Sequence, residues 1–149
     1  MYTNFRDHLS IACNFNTDKV KKTTEAFIDN GASVKANLHV LVRSLSNEEL
    51  NSITVNATVG TYAGALGGSG ELYLLEVKTR AFVDHGAIVF ANGSVVIEAD
   101  DFVDSDFLAG QAESANIVGS AGASAGIVVL DKVTEAFVGS NADVTALGF

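Results

Sequence analysis

A gapless internal repeat constrains this chain more than any other feature. Segments 24–36, 79–91 and 134–146 align residue for residue. Thr24, Ala26, Phe27, Ala32, Val34 and Ala36 recur as Thr79, Ala81, Phe82, Ala87, Val89 and Ala91. They recur again as Thr134, Ala136, Phe137, Ala142, Val144 and Ala146. The phenylalanines set the period, since Phe27 to Phe82 and Phe82 to Phe137 are both 55 residues. The match runs on beyond the motif: Val40 and Val42 fall opposite Val95 and Ile97, and Leu72–Glu76 opposite Ile127–Asp131. A unit of this length that recurs is one supersecondary element, stacked on its neighbours to bury a shared face. The 149 residues therefore divide as one repeat domain: a partial unit or N-terminal cap (1–22), repeat 1 (23–77), repeat 2 (78–132) and a truncated repeat 3 (133–149).

Within the unit the pattern is that of strands. Ala81, Val83, Ala87, Val89, Ala91, Val95, Ile97 and Ala99 share one parity, and Arg80, Asp84, Asn92, Ser94 and Glu98 alternate with them. Period-two alternation marks half-buried strands, and the small or β-branched inward set suits a narrow interior. Asp29-Asn30-Gly31, Asp84-His85-Gly86 and Gly139-Ser140-Asn141 supply the turn inside each copy. Two places depart from strand. Ser46-Asn47-Glu48-Glu49 has capping-box spacing and predicts one helical turn, and residues 45–51 and 100–106 read as a variable polar loop. The Gly/Ala-rich stretches 61–70 and 119–126 read as packed strand, with flexible linker as the alternative. The simplest fold is an all-β parallel solenoid, with each repeat making two coils of about 27 residues or three of about 18. The alternative is an antiparallel β-sandwich.

Composition removes whole classes of function. Hydrophobic content of 48% rules out a disordered chain, and no run of 18 uninterrupted apolar residues exists to form a spanning helix. A single cysteine, Cys13, excludes an internal disulfide, a cysteine zinc site and a paired-cysteine redox site. Eighteen acids stand against nine bases, and residues 76–149 alone carry eleven acids and three bases. So acidic a surface disfavours nucleic acid and anionic membranes as partners. The start, Met1 to His8, has no basic segment followed by an apolar one, so no signal peptide is visible. That leaves a cytosolic chain or a piece of a longer exported one, and the repeat favours the second.

The pattern Thr-x-Ala-Phe-Val/Ile-x-x-Gly-Ala-x-Val-x-Ala, followed by Val-x-Ile-x-Ala and a Gly/Ala-rich run, resembles the repeats of giant secreted bacterial adhesins of the filamentous-haemagglutinin and leukotoxin type. The resemblance covers residues 20–149. It implies a right-handed parallel β-helix, secretion or display at the cell surface, and a structural or adhesive role without catalysis. The partners it implies are proteins or glycans on another cell. The third copy departs from it, since Gly139-Ser140-Asn141 stands where x-x-Gly is expected, and its layer is where regularity would fail.

Candidate sites are few. Asp100, Asp101, Asp104 and Asp106 crowd one stretch, and calcium wants carboxylates converging from a flexible loop. The spacing is not that of an EF-hand, and a solvated acidic loop is the competing reading. Phe27, Phe82 and Phe137 lie on the outward parity, where aromatics in register form either a ligand platform for sugar or protein or a stack that stabilises the fold. His8, His39 and His85 are scattered and read as surface residues; no paired-histidine zinc motif or dinucleotide fingerprint is present. No cofactor is expected, calcium apart. The alternative function is a carbohydrate-active β-helix enzyme, lyase or hydrolase, for which only Asp100–Asp106 offers a carboxylate cluster. Finally, the last segment, Asp143 to Phe149, reads as a plain strand with no cap, which predicts end-to-end self-association.

Overall fold

The computed structural model describes residues 10–60, 64–115 and 119–148. Eight strands occupy nearly all of them: β1 (Ser10–Ile28), β2 (Ser33–Ala36), β3 (Val40–Gly60), β4 (Ala65–Val83), β5 (Ile88–Ala91), β6 (Val95–Ala115), β7 (Ser120–Val138) and β8 (Asp143–Ala146). They form three sheets, in the orders β1-β4-β7, β2-β5-β8 and β3-β6. Strands adjacent in sequence thus fall in different sheets, and each strand pairs with its counterpart one repeat away. In the second sheet the pairing is parallel, with Ser33 opposite Ile88 and Ile88 opposite Asp143. In the first, Lys21 meets Glu76 and Phe27 stacks on Phe82, the same 55-residue offset at separate points. A constant offset along two strands requires them to be parallel.

This register corrects several sequence expectations. Parallel pairing overturns the antiparallel sandwich. One layer of strands takes a whole 55-residue repeat, so neither the 27- nor the 18-residue coil is found. The reason is strand length: β1, β3, β4, β6 and β7 run 19 or 21 residues, far beyond the usual strand of about six. The helical turn at Ser46 is absent because Ser46 and Glu48 lie two apart on the inward side of β3, where the Ser46 hydroxyl donates to the Glu48 carboxylate at 2.9 Å. The capping-box pair, Ser46 and Glu49, is instead divided between the two faces of the strand. The loop expected at 45–51 and 100–106 is likewise strand, within β3 and β6. Residues 65–70 and 120–126 of the Gly/Ala stretches belong to β4 and β7 rather than to linkers. Of the expected N-terminal cap, residues 1–9 lie outside the described residues, and Ser10–Asn16 belong to β1.

The expected inward row is the core. Ala81, Val83, Ala87, Val89 and Ala91 are buried, joined by Val40 and Val42, with Val95, Ile97 and Ala99 packed against them. Layers on both sides cover the middle repeat: Val83 is 0% exposed, whereas its counterpart Val138 is 49% exposed. A one-residue slip would turn this row outward, so the alternation itself fixes the register. The turn also repeats. Ala32, Ala87 and Ala142 donate to the carbonyls of Asp29, Asp84 and Gly139 at 3.0, 3.3 and 3.4 Å. Gly31 and Gly86 sit at φ 67° and 66°, and Asn141 takes the same left-handed place at 57°. Asparagine is among the few residues that tolerate this region. The third copy therefore keeps its register, contrary to the expected irregularity.

Contacts divide the chain into two compact units, each assembled from three separate stretches of the sequence. One takes the stretch ending at Val20 with Leu50–Leu75 and Ser105–Leu130; the other takes Lys21–Glu49, Glu76–Asp104 and the residues from Asp131 onward.

Candidate functional site

The strand at Asp100–Asp106 separates what the sequence crowds together. Asp100, Asp104 and Asp106 share one parity of β6 and Asp101 the other, so the four carboxylates do not converge from a loop. Asp100 lies 3.1 Å from Arg43, which also faces Glu98 at 3.4 Å. Asp104 and Asp106 are exposed, and Asp106 borders an open depression of about 270 Å³ with Asn51, Ser52, Ile53, Phe107 and Leu108. Among the described residues no group of three or more histidine, cysteine or acidic side chains is placed to hold a metal.

Asp101 turns inward, and its side chain is fully buried. Lys132 donates to the Asp101 carbonyl at 2.6 Å and stands 3.7 Å from its carboxylate. Both carboxylate oxygens lack a hydrogen-bond donor among the described residues. A second inward ion pair joins Lys22 to Glu48. Burial acts to raise the Glu48 pKa, but the Lys22 ammonium and the Ser46 hydroxyl together hold it below the usual 4.5. In the other unit Glu71 is buried, and it accepts hydrogen bonds from Ser52 and, at 2.5 Å, from Thr54. Those hydroxyls lower its pKa against the opposing effect of burial.

Sequence reasoning missed this charged interior, although its signal was present. Lys22 and Lys132 stand at the same inward position two repeats apart, with Val77 between them.

The phenylalanine ladder is continuous. Phe27 and Phe82 stack at 5.2 Å between centroids and 10° between planes; Phe82 and Phe137 stack at 5.0 Å and 1°. Their faces cover one another, and the Arg80 guanidinium lies about 5 Å from both Phe82 and Phe137. A sugar platform needs a free ring face, and the middle ring has none. Arg80 also bridges Glu25 at 3.4 Å and Glu135 at 3.1 Å, which places alternating charge along the same face. Of the histidines, His8 lies outside the described residues. His39 is exposed, in line with the surface reading, and its Nδ1 accepts the Ser94 backbone N–H at 2.9 Å. His85 meets the Ser140 hydroxyl at 2.9 Å across two turns.

No family model, curated protein or solved structure matches this chain. No helix among the described residues is long and apolar enough to cross a membrane.

Proposed function

We propose that this chain is a non-catalytic structural or adhesive segment of a right-handed parallel β-helix, secreted or displayed on a cell surface. The observation that supports it most is the in-register parallel pairing at one 55-residue offset. Crossovers between parallel strands of one sheet are overwhelmingly right-handed, which supports the handedness. A scaffold that adds one layer per repeat extends in one direction without new chemistry, as a stalk requires. The enzyme reading loses its main support, because the only aspartate cluster is split between two faces of β6. Its partners are proteins or glycans of another cell, met along outward faces such as the one carrying Leu41, Leu45, Val96 and Phe102, all exposed.

The test has two arms. Antibodies to the chain should label intact cells that produce it, and a glycan panel should show no product release. Labelling only after permeabilisation, or turnover abolished by Asp101→Asn or Asp104→Asn, would reverse the proposal.

A further inference from the structure

We propose that Glu71 and the hydroxyls of Ser52, Thr54 and Ser69 form a binding site for one monovalent cation, of the sodium or potassium class. All four residues lie in the unit that contains Leu50–Leu75. β4 lies between β1 and β7, so the layer carrying Ser69 and Glu71 is flanked on both sides by the chain itself. Taking a carboxylate out of water is costly unless an opposite charge goes with it. In the other unit that charge is a lysine: Lys22 for Glu48 and Lys132 for Asp101. Glu71 is only 4% exposed, and no lysine or arginine pairs with it among the described residues. The stretches of its unit hold two such bases, Arg6 and Lys19. Arg6 lies outside the described residues, and Lys19 is exposed on the outward side of β1.

Oxygens surround Glu71 instead of bases. Ser52 and Thr54 reach it from β3, and each donates to one of its carboxylate oxygens. A hydroxyl has one proton to give and keeps lone pairs that can face a cation. Ser69 points to the same occupant independently. It shares the inward side of β4 with Glu71 and is 6% exposed, and its buried Oγ has no hydrogen-bond partner among the described residues. A buried hydroxyl left in that state is destabilising. Residues two apart on one face of a strand stand about 6.6 Å apart, so both side chains can touch one atom between them. Gly126, the β7 counterpart of Glu71 at the 55-residue offset, puts no side chain over that gap. A cation in the gap is held by the Ser69 oxygen and the Glu71 carboxylate together, and it neutralises the buried charge. One carboxylate among neutral hydroxyls matches a charge of +1, whereas calcium sites gather several carboxylates.

The test melts the intact chain in the chlorides of sodium, potassium and tetramethylammonium at equal ionic strength, which holds screening constant. Sodium or potassium should raise the melting temperature above that in tetramethylammonium, by about 4 °C per tenfold rise in concentration once the site fills. Glu71→Gln keeps the shape and removes the charge, and it should erase the difference between salts. Ser69→Ala removes one ligand and should move the response to about tenfold higher concentration. Asp104→Asn, on the exposed face, should leave it unchanged. Saturable one-to-one broadening of the sodium NMR line, reversed by potassium, reads binding directly and decides the matter if Glu71→Gln does not fold. Equal melting in all three salts overturns the proposal, and is the result expected if water alone joins Ser69 to Glu71. So does a salt difference that survives Glu71→Gln, broadening that does not saturate, or a stronger response to millimolar magnesium or calcium than to sodium.

Discussion

At the residue scale, the same side chain has different worth in different layers. Val83 and Val138 occupy one repeat position, but the first is fully buried and the second about half exposed. Val83→Ala removes two buried methyl groups and leaves a cavity, and should cost about 2 kcal/mol; Val138→Ala should cost well under 1. Denaturant unfolding of the two variants checks this, and equal losses would contradict the layered burial. Thr79 makes a second test. It is fully buried, and its hydroxyl has no partner among the described residues. Thr79→Val keeps the shape and removes an unsatisfied polar atom, so it should raise stability by about 1 kcal/mol. A loss of stability would mean that the hydroxyl is bonded in solution. Gly139 is constrained differently. A Cβ there would lie 2.9 Å from the His85 backbone nitrogen and 3.0 Å from the Asp84 carbonyl carbon. Neither atom can swing away as a side chain would, which explains why this copy has glycine where the others have aspartate.

At the element scale, β3 shows how much the sequence revealed and where it misled. Alternation placed Val40 and Val42 inward, and both are buried. The same alternation continues through Ser44, Ser46, Glu48, Ser52 and Thr54, but polar residues on an inward row read as a loop or a helix start. A polarity pattern cannot distinguish a solvated loop from a strand whose inward polar groups bond one another across the interior. Only the register, which brings Glu48 to Lys22 and Glu71 to Ser52 and Thr54, makes that distinction. The aspartates of β6 misled for the same reason: four acids in seven residues look like a cage until alternation divides them. These interior carboxylates give a prediction for pH. Glu48 and Glu71 have folded pKa values below 4.5, so their contribution is present above the unfolded value and lost as pH falls through the folded one. The unfolded chain binds protons more readily there, so stability should fall on acidification below about pH 4.5. Glu71→Gln should flatten this decline in thermal melts across pH 2–6; an unchanged slope would show that Glu71 does not contribute to it.

At the scale of the whole molecule, the 55-residue period was legible because the three copies share residues at fixed spacing, but the number of layers per period was not. Layer length depends on how far each strand runs before it turns, and strands of 19 and 21 residues carry too few turn residues to show where that happens. The parallel sheets make the period a physical unit that can be duplicated. Inserting a second copy of residues 78–132 after Lys132 keeps every strand in register and adds one fully covered layer, with its own buried Ala81, Val83, Ala87, Val89 and Ala91. In stacked repeats each added layer contributes its own stability plus a new interface with its neighbour. The longer chain should melt at a higher temperature, with a steeper denaturant dependence from the larger surface exposed on unfolding. Inserting residues 78–104 alone adds 27 residues, the length of the discarded two-coil division. That insertion places β4-type sequence against the wrong partners and should broaden or abolish the cooperative transition. The two insertions together decide the matter by circular dichroism and calorimetry. A stable, cooperative 27-residue insertion beside a disrupted 55-residue one would show that the chain does not pair one full repeat apart.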